Sequence, residues 1–486
     1  MITLKDILYR VSINKVIGNT NVAITNVEFD SRKVSLNDVF VATRGTVSDG
    51  HEYIKNAVNQ GAIAIVCEEL PKDTVNGVTY VKVQNAQQAL AFMASNFYEN
   101  PSENLQLVGV TGTNGKTTIA PLLYQLYTKA GFKVGLLSTV KIMVGNIEHK
   151  ATHTTPDSLT INKYLSKMTD IGCEYCFMEV SSHGIAQHRT TGLKFTGGIF
   201  TNLSHDHLDY HSTFAEYRDV KKKFFDELPS SAFALTNADD KNGMVMLQNT
   251  KAKKRTYALK SIADYKAQIL ENQFSGLLLK LNNNELWSKL IGNFNAYNLL
   301  AIFATTELLG MQTMESLRLI SELESVNGRF QYLIKNKITA IVDYAHTPDA
   351  LKNVLETINA IRTKNEDLIT VVGCGGDRDA TKRPKMGHIA SALSTKVIFT
   401  SDNPRTEDPN KIIEAIESGV EPQHFKKTLS IADRKQAIKT ACSFAKENDI
   451  ILIAGKGHET YQEINGERTD FDDFKIVKTL LTQLNN

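Results

Sequence analysis

Along this chain, apolar residues gather into short runs separated by helix-length stretches of mixed character. That rhythm predicts strands alternating with helices. Near the start, Asp38-Val39-Phe40-Val41-Ala42 reads as a strand and Tyr53-Ile54…Ala57-Val58 has helical spacing. Residues 62–67 form a continuous apolar run of the kind that buried parallel strands show. A helix over 86–98 then stops before Asn100-Pro101-Ser102. The residue before a proline avoids helical backbone, so a domain boundary is expected there. A second block opens with Leu105-Gln106-Leu107-Val108-Gly109-Val110, with further strands expected at 134–138, 175–180 and 197–202. Residues 233–290 read as strand-rich, helical pattern returns at 296–310, and Asn327-Gly328-Arg329 punctuates the chain.

The last block, from about residue 331, is the most regular. Four apolar runs each stop at a polar or glycine-rich cluster. Residues 338–342 lead into Asp343-Tyr344-Ala345-His346, and 368–372 into Gly373-Cys374-Gly375-Gly376-Asp377-Arg378. Residues 396–400 lead into Ser401-Asp402-Asn403-Pro404-Arg405, and 450–454 into Gly455-Lys456-Gly457-His458-Glu459. Parallel sheets bind ligands at the carboxyl ends of their strands, so these four endings predict one shared site.

Composition narrows the picture. At 486 residues the chain is too long for one core and suggests two to four domains. With 55 Lys and Arg against 53 Asp and Glu, the net charge of +2 gives no sign of a nucleic-acid binder. The opening segment lacks an uninterrupted apolar core and a small-residue cleavage site, and no run of about 18 apolar residues occurs, so neither a secretory leader nor a membrane span is expected. Five cysteines fit thiols in a reducing, cytoplasmic setting. Cys173-Glu-Tyr-Cys176 has redox spacing, but it leads into the apolar run Cys176-Phe177-Met178-Glu179-Val180 and reads as a buried strand.

The strongest local signal is Thr111-Gly112-Thr113-Asn114-Gly115-Lys116-Thr117-Thr118, between an expected strand and an expected helix. Glycines let backbone amides approach phosphate oxygens, the helix start favours anions, Lys116 adds charge, and a following hydroxyl can ligate Mg²⁺. The generic loop has a glycine five positions before Gly115, where this chain has Val110; the match is to a shorter Gly-x-x-Gly-Lys-Thr form. Pro121 falls early in the expected helix without a local reason. Two later segments are candidate partners: Glu179, and His207 within Asn202-Leu203-Ser204-His205-Asp206-His207-Leu208-Asp209-Tyr210-His211. A hard cation on phosphates wants oxygen ligands, so Glu179 suits Mg²⁺ better than His207. No cysteine or HExxH pattern accompanies these histidines, so zinc is not expected. On residue type alone, Lys221-Lys222-Lys223 reads as a solvated helix face.

Together the motifs resemble one family, the ATP-dependent Mur ligases, and within it the type that extends UDP-N-acetylmuramoyl-L-alanyl-D-glutamate by the third residue of the peptidoglycan stem peptide. The resemblance runs in order through Asp30-Ser31-Arg32, 112–118, Thr154-Thr155-Pro156-Asp157, 179–183, 202–211, Gly292-Asn293-Phe294-Asn295, 343–349, 373–379, 402–405 and 455–459. It implies an α/β protein of three domains. Residues 1–99 would bind the UDP-sugar, 100–330 would form a central P-loop ATPase-type α/β domain, and 331–486 a doubly wound α/β domain that receives the amino acid. The implied reaction makes an acyl phosphate from a substrate carboxylate and ATP, which the incoming amine then attacks.

Carried over by position, the resemblance gives Gly112, Thr113, Asn114, Gly115, Lys116, Thr117 and Thr118 to the ATP phosphates and Thr117, Glu179 and His207 to Mg²⁺. Lys221, four residues after Tyr217, matches a lysine the family carbamylates, which would hold a second Mg²⁺. With Lys116, Glu179 and His207 it makes up the implied catalytic set. Asn295 matches the adenine contact, with Phe294 where several relatives have histidine; Arg329 and Asp343 match phosphate and ribose contacts. Ser31, Thr154, Thr155, Ser182, Gln187 and Arg189 point to the UDP-muramoyl peptide, and Arg378, Asp402, Asn403, Arg405, Gly455 and Glu459 to the amino acid. The Asp402-Asn403-Pro404-Arg405 form is the one associated with meso-diaminopimelate rather than L-lysine. The two differ by a distal carboxylate, which a guanidinium pairs with bidentately. The implied partners are therefore small molecules (ATP, UDP-MurNAc-L-Ala-D-Glu and meso-diaminopimelate) acting on a cytoplasmic monomer of cell-wall synthesis and cell division. The rival readings are the same reaction with L-lysine, a related Mur ligase, a folylpolyglutamate synthetase, or an ATP-binding scaffold without activity.

Overall fold

In a computed structural model, residues 2–45, 48–204, 211 and 213–483 are described. The chain folds into two compact units. One holds Met1–Gly112, Ile119–Asn202 and Thr213–Thr256; the other holds Thr113–Thr118, Leu203–Ser212 and Tyr257–Asn486.

The first unit contains two sheets. Its N-terminal sheet has the order Ile13–Ile17, Thr79–Val83, Ala64–Cys67, Val39–Val41, Val27–Glu28, parallel except for the first strand. Alternate strand residues face opposite ways, as the period of two requires. Val39, Val41, Ala64, Val66 and Val81 pack with Leu4, Ile7 and the Ala86–Phe97 helix, whereas Phe40, Ile65 and Tyr80 pack with Ala57 on the other face. Asn85 caps that helix by accepting the Gln88 amide at 2.8 Å.

In the larger sheet of this unit, Phe233–Asn237, Gly197–Phe200, Gln106–Thr111, Tyr175–Glu179 and Val134–Leu137 run parallel in that spatial order, followed by antiparallel Lys141–Val144 and Ile147–Lys150. Gln106–Thr111 lies inside the sheet with Leu107–Thr111 buried, which is why its sequence reads as one apolar run. All five cysteines are buried free thiols; Cys176 sits within Tyr175–Glu179, and burial pushes its thiol pKa up, as the strand reading expects.

The second unit has an antiparallel meander, Tyr265–Gln273, Gly276–Leu281 and Asn284–Ser288, packed on the Asn293–Leu308 helix, and a six-stranded C-terminal sheet. The sheet order is Gln331–Lys335, Ile338–Asp343, Ile450–Ala454, Leu368–Val372, Lys396–Phe399, Thr428–Ser430, parallel except for the first. One face packs Leu355, Met386 and Ile412 from helices Pro348–Ile361, Lys382–Leu393 and Pro409–Glu417. The other packs Ile438 and Val477 from helices Arg434–Phe444 and Asp473–Gln483. This is the expected doubly wound arrangement, and it brings the ends of four adjacent parallel strands to one edge.

Candidate active site

The chain leaves the Gln106–Thr111 strand through Gly112, whose φ of 147° puts it in backbone that glycine favours. A Cβ there would lie 1.9 Å from Thr201 Oγ1, so the close approach also requires glycine. After Gly115 the Lys116–Lys129 helix begins. Lys116 Nζ donates to the Thr113 carbonyl at 2.8 Å and so closes the loop over itself, while Thr117 and Thr118 are buried. This is the strand–loop–helix geometry that presents amides to phosphate. Pro121 lies inside the helix, where it cannot donate to the carbonyl one turn back.

Within the first unit, Glu179 ends its strand fully buried. Its two oxygens accept the Thr139 amide at 2.9 Å and the Thr139 hydroxyl at 3.0 Å, and the oxygen of that hydroxyl lies 3.0 Å from Thr154 Oγ1, from which it can accept. Thr155 donates to the Glu179 carbonyl and accepts the Ser181 amide, each at 2.9 Å. Arg189 reaches the Thr155 carbonyl at 2.6 Å and Gln187 Oε1 at 2.6 Å. The structure thus brings Thr154, Thr155, Glu179, Gln187 and Arg189 into one network, with Ser182 beginning the adjoining Ser182–Ala186 helix. Ser182 Oγ is buried and has no hydrogen-bond partner among the described residues. Ser31 is placed elsewhere in the unit, buried between Asp30 and Arg32, which pair with each other at 2.8 Å. Thr139 belongs to no motif the sequence reading used, and nothing in its neighbours signals its two bonds to Glu179.

Lys221 corrects the expectation of a solvated face. It is 1% exposed, its Nζ donates to the Gly112 carbonyl at 3.0 Å, and it lies 4.8 Å from the Tyr217 ring centroid. Lys222 is buried too, paired with Asp226 at 2.7 Å; Lys223 reaches Glu227 at 3.7 Å. The Tyr-x-x-x-Lys spacing was the available signal, because residues four apart share a helix face.

His207 lies outside the described residues. Among the described residues no three His, Cys, Asp or Glu side chains gather to hold a metal ion. Mg²⁺ does not require such a cage: one or two carboxylates, hydroxyls, waters and substrate phosphates suffice. The buried Glu179 carboxylate and the Thr117 hydroxyl are donors of that hard-oxygen kind, so the residues present fit Mg²⁺.

In the second unit, Asn295 is buried near the start of the Asn293–Leu308 helix, where it donates to the Ile291 carbonyl at 2.8 Å and accepts from Asn298 at 3.1 Å. Its neighbour Phe294 meets Phe330 edge-on at 5.5 Å. Asp343, at the end of its strand, accepts the Phe330 amide at 2.6 Å. Burial pushes the Asp343 carboxyl up to about 6 against the opposing charge of Arg329. The Arg329 guanidinium stacks 4.7 Å from the Tyr344 ring centroid, and its Nε is buried without a hydrogen-bond partner among the described residues. A Cβ on Gly328 would fall 2.0 Å from the His458 amide nitrogen, so the Arg329 turn and the Gly455–Glu459 segment touch backbone to backbone. Burial, with Arg329 next, lowers the His458 pKa to about 3, which keeps that ring neutral.

Beside them lies the third cluster. Gly455 has φ 116°, and a Cβ there would meet Asp402 Oδ2 at 2.6 Å. Asn403 Nδ2 donates to Glu459 Oε2 at 2.8 Å. The fully buried Lys456 Nζ donates to Asn403 Oδ1 at 2.9 Å and to Glu459 Oε2 at 3.1 Å. Arg405 Nη1 donates to the Gly376 carbonyl at 2.6 Å, and Gly376 donates to the Asn403 carbonyl at 2.9 Å. Arg378 follows on the same loop, exposed, with Nη1 3.4 Å from the Asp377 carbonyl. Asp402, Asn403, Arg405, Gly455 and Glu459 therefore converge as their strand endings predict. Lys456, assigned no binding role from its sequence, proves to be the buried cation that ties two of them together.

Comparison with known proteins follows the same order along the chain. Residues 23–98 match the family described as Mur ligase family, catalytic domain; 110–306 match the Mur ligase middle domain; 328–457 match the Mur ligase, glutamate ligase domain. A protein of Cytophaga hutchinsonii named UDP-N-acetylmuramoyl-L-alanyl-D-glutamate--2,6-diaminopimelate ligase is 53% identical over 483 residues, covering 99% of each chain. A protein of the same name from Bacteroides fragilis is 52% identical over 480 residues, again covering 99% of each. A solved structure of a ligase so named superposes with a TM-score of 0.72 at 31% identity, covering 100% of this chain and 99% of that one.

Proposed function

This chain belongs to the Mur ligase family, and from that premise we propose how it works. It is an ATP-dependent ligase of peptidoglycan precursor synthesis that adds 2,6-diaminopimelate to UDP-N-acetylmuramoyl-L-alanyl-D-glutamate. On our reading the amino acid is the meso form, the enzyme is a cytoplasmic monomer serving cell-wall growth and division, and its three domains are 1–99, 100–330 and 331–486. The described residues contain no helix long and apolar enough to cross a membrane.

In the first step a substrate carboxylate oxygen attacks the γ-phosphorus of ATP. The bond from that phosphorus to the β,γ-bridging oxygen breaks and ADP leaves. The amine of the incoming amino acid then attacks the acyl carbon, and the tetrahedral intermediate expels phosphate while the nitrogen sheds its protons. Phosphate is a far better leaving group than hydroxide, so ATP is consumed before the amide forms. Gly112–Thr118 cradle the phosphates, with Lys116 as a point charge. Bound Mg²⁺ would neutralise the charge that builds on the phosphate oxygens, held by Thr117, Glu179, His207 and, if carbamylated, Lys221. Asn295, Arg329 and Asp343 bind the nucleotide. Ser31, Thr154, Thr155, Ser182, Gln187 and Arg189 hold the UDP-muramoyl peptide and orient its carboxylate.

Arg378, Asp402, Asn403, Arg405, Gly455 and Glu459 receive diaminopimelate. Arg405 pairs with its distal carboxylate and Glu459 with its distal ammonium. The observation that carries this assignment is the meeting of Asp402, Asn403 and Arg405 with Gly376, Gly455 and Glu459 at the ends of three adjacent parallel strands. Arg405→Ala tests it. Diaminopimelate use should be abolished while the Kd for ATP stays within about twofold, because only the carboxylate partner is removed. Unchanged diaminopimelate kinetics would exclude Arg405 from the site.

A further inference from the structure

Arg405 holds its guanidinium in place from an unusual backbone. Its φ is 52°, the left-handed region that a residue with a Cβ enters only when its surroundings impose it. Its side chain bonds the 373–378 loop, but both backbone bonds of Arg405 come from one other element. The chain from Tyr461 to Asp470 forms a two-stranded antiparallel hairpin, Tyr461–Ile464 with Glu467–Asp470, turned at Asn465-Gly466, both of which have positive φ. Asn-Gly with two left-handed residues is the turn chemistry that tight hairpins prefer.

The hairpin edge clasps the 402–405 segment at four points. The Arg405 amide donates to the Glu463 carbonyl at 3.1 Å, and the Asn465 amide donates to the Arg405 carbonyl at 2.7 Å, so Arg405 makes a single-residue bridge opposite Ile464. Gln462 Nε2 donates to the Asp402 carbonyl at 2.8 Å, and the Glu463 amide donates to Asn403 Oδ1 at 3.0 Å. A two-stranded hairpin has little stability of its own, and the Glu467–Asp470 strand is exposed along its length. Tyr461 moors its base between Lys456 and Arg468, whose charged groups lie 5.5 and 4.4 Å from the ring centroid.

We propose that the 461–470 hairpin is a positioning element for amino-acid specificity: it templates the left-handed backbone of Arg405 and so aims the guanidinium that selects a distal carboxylate. The inference rests on the reading of Arg405 given above. Gln462 acts through the backbone of Asp402, and the backbone of Glu463 and Asn465 through Asn403 and Arg405, without touching substrate.

The test replaces residues 463–468 by an Asn-Gly dipeptide, joining Gln462 to Thr469, which already face each other, by a two-residue turn. Gln462→Ala is the milder companion, removing one bond and leaving the hairpin whole. In the shortened protein the KM for diaminopimelate should rise at least tenfold and the preference for diaminopimelate over L-lysine should fall at least tenfold. The KM for ATP should stay within twofold. Gln462→Ala should raise the diaminopimelate KM about three- to tenfold. In the Arg405→Ala background the shortening should cause no further loss of preference for diaminopimelate over L-lysine, since the interaction it acts through is already gone. If Arg405→Ala alone impairs diaminopimelate use while both hairpin variants keep a wild-type KM for it, the hairpin proposal is overturned and the site reading stands. If Arg405→Ala alone changes nothing, the reading of the site falls and the proposal falls with it.

Discussion

Asp343 shows how a single residue couples folding to the site. Folding raises its pKa from 3.8 to about 6, chiefly by burial and against the pull of Arg329. Below about pH 3 the carboxyl is protonated in both folded and unfolded chains, and burial costs nothing extra. As pH rises through 6 the folded protein must ionise a buried group, so that stability is lost. The shift corresponds to about 3 kcal/mol. Relative to Asp343→Asn, the wild type should therefore lose about 3 kcal/mol of stability between pH 3 and pH 7, read from denaturant unfolding at each pH. Parallel stability profiles would show that Asp343 carries no such burden. The same residue was legible beforehand as the polar end of an apolar run, but its burial was not. Lys221 was misread on residue type, because a run of three lysines reads alike although two are buried and the third is half-buried. Only the helical spacing from Tyr217 distinguishes them.

At the scale of elements, parallel strands were the most legible feature. Past the exposed Gln106, the strands Gln106–Thr111, Leu368–Val372 and Ile450–Ala454 are buried, so their sequences are apolar but for Thr111 and Thr370. Ile13–Ile17 went unread because it is an edge strand whose residues are mostly exposed, leaving no apolar period. The 461–470 hairpin was equally silent, being held by side-chain and backbone bonds to a segment about 60 residues earlier. Pro121 belongs here too. The Lys116–Lys129 helix continues through it, losing the bond that residue 121 would donate to the Thr117 carbonyl and straining the ring against that carbonyl. Pro121→Ala should raise the resistance of the protein to denaturant by about 1–3 kcal/mol. A loss of stability would mean that the ring fills space the helix needs.

For the molecule as a whole, near-neutral composition concealed the arrangement that matters. Lys116, Arg329, Arg405 and Lys456 sit at the ends of strands or on the loops beside them, and each proposed ligand is anionic. Averaging over 486 residues cancels that pattern, whereas the order of motifs preserves it. The doubly wound C-terminal sheet was read correctly because four apolar runs ended in four polar clusters, and the sheet order places those ends side by side. The network around Glu179 was only partly legible, since Thr139 reaches it from a loop that carries no motif. The most direct test of the account is product mass. The protein is incubated with ATP, Mg²⁺ and UDP-MurNAc-L-Ala-D-Glu, with meso-diaminopimelate or L-lysine offered separately. The account predicts a new species heavier by one diaminopimelate residue, formed with stoichiometric phosphate release, and little or none with lysine. Equal conversion of lysine would contradict it.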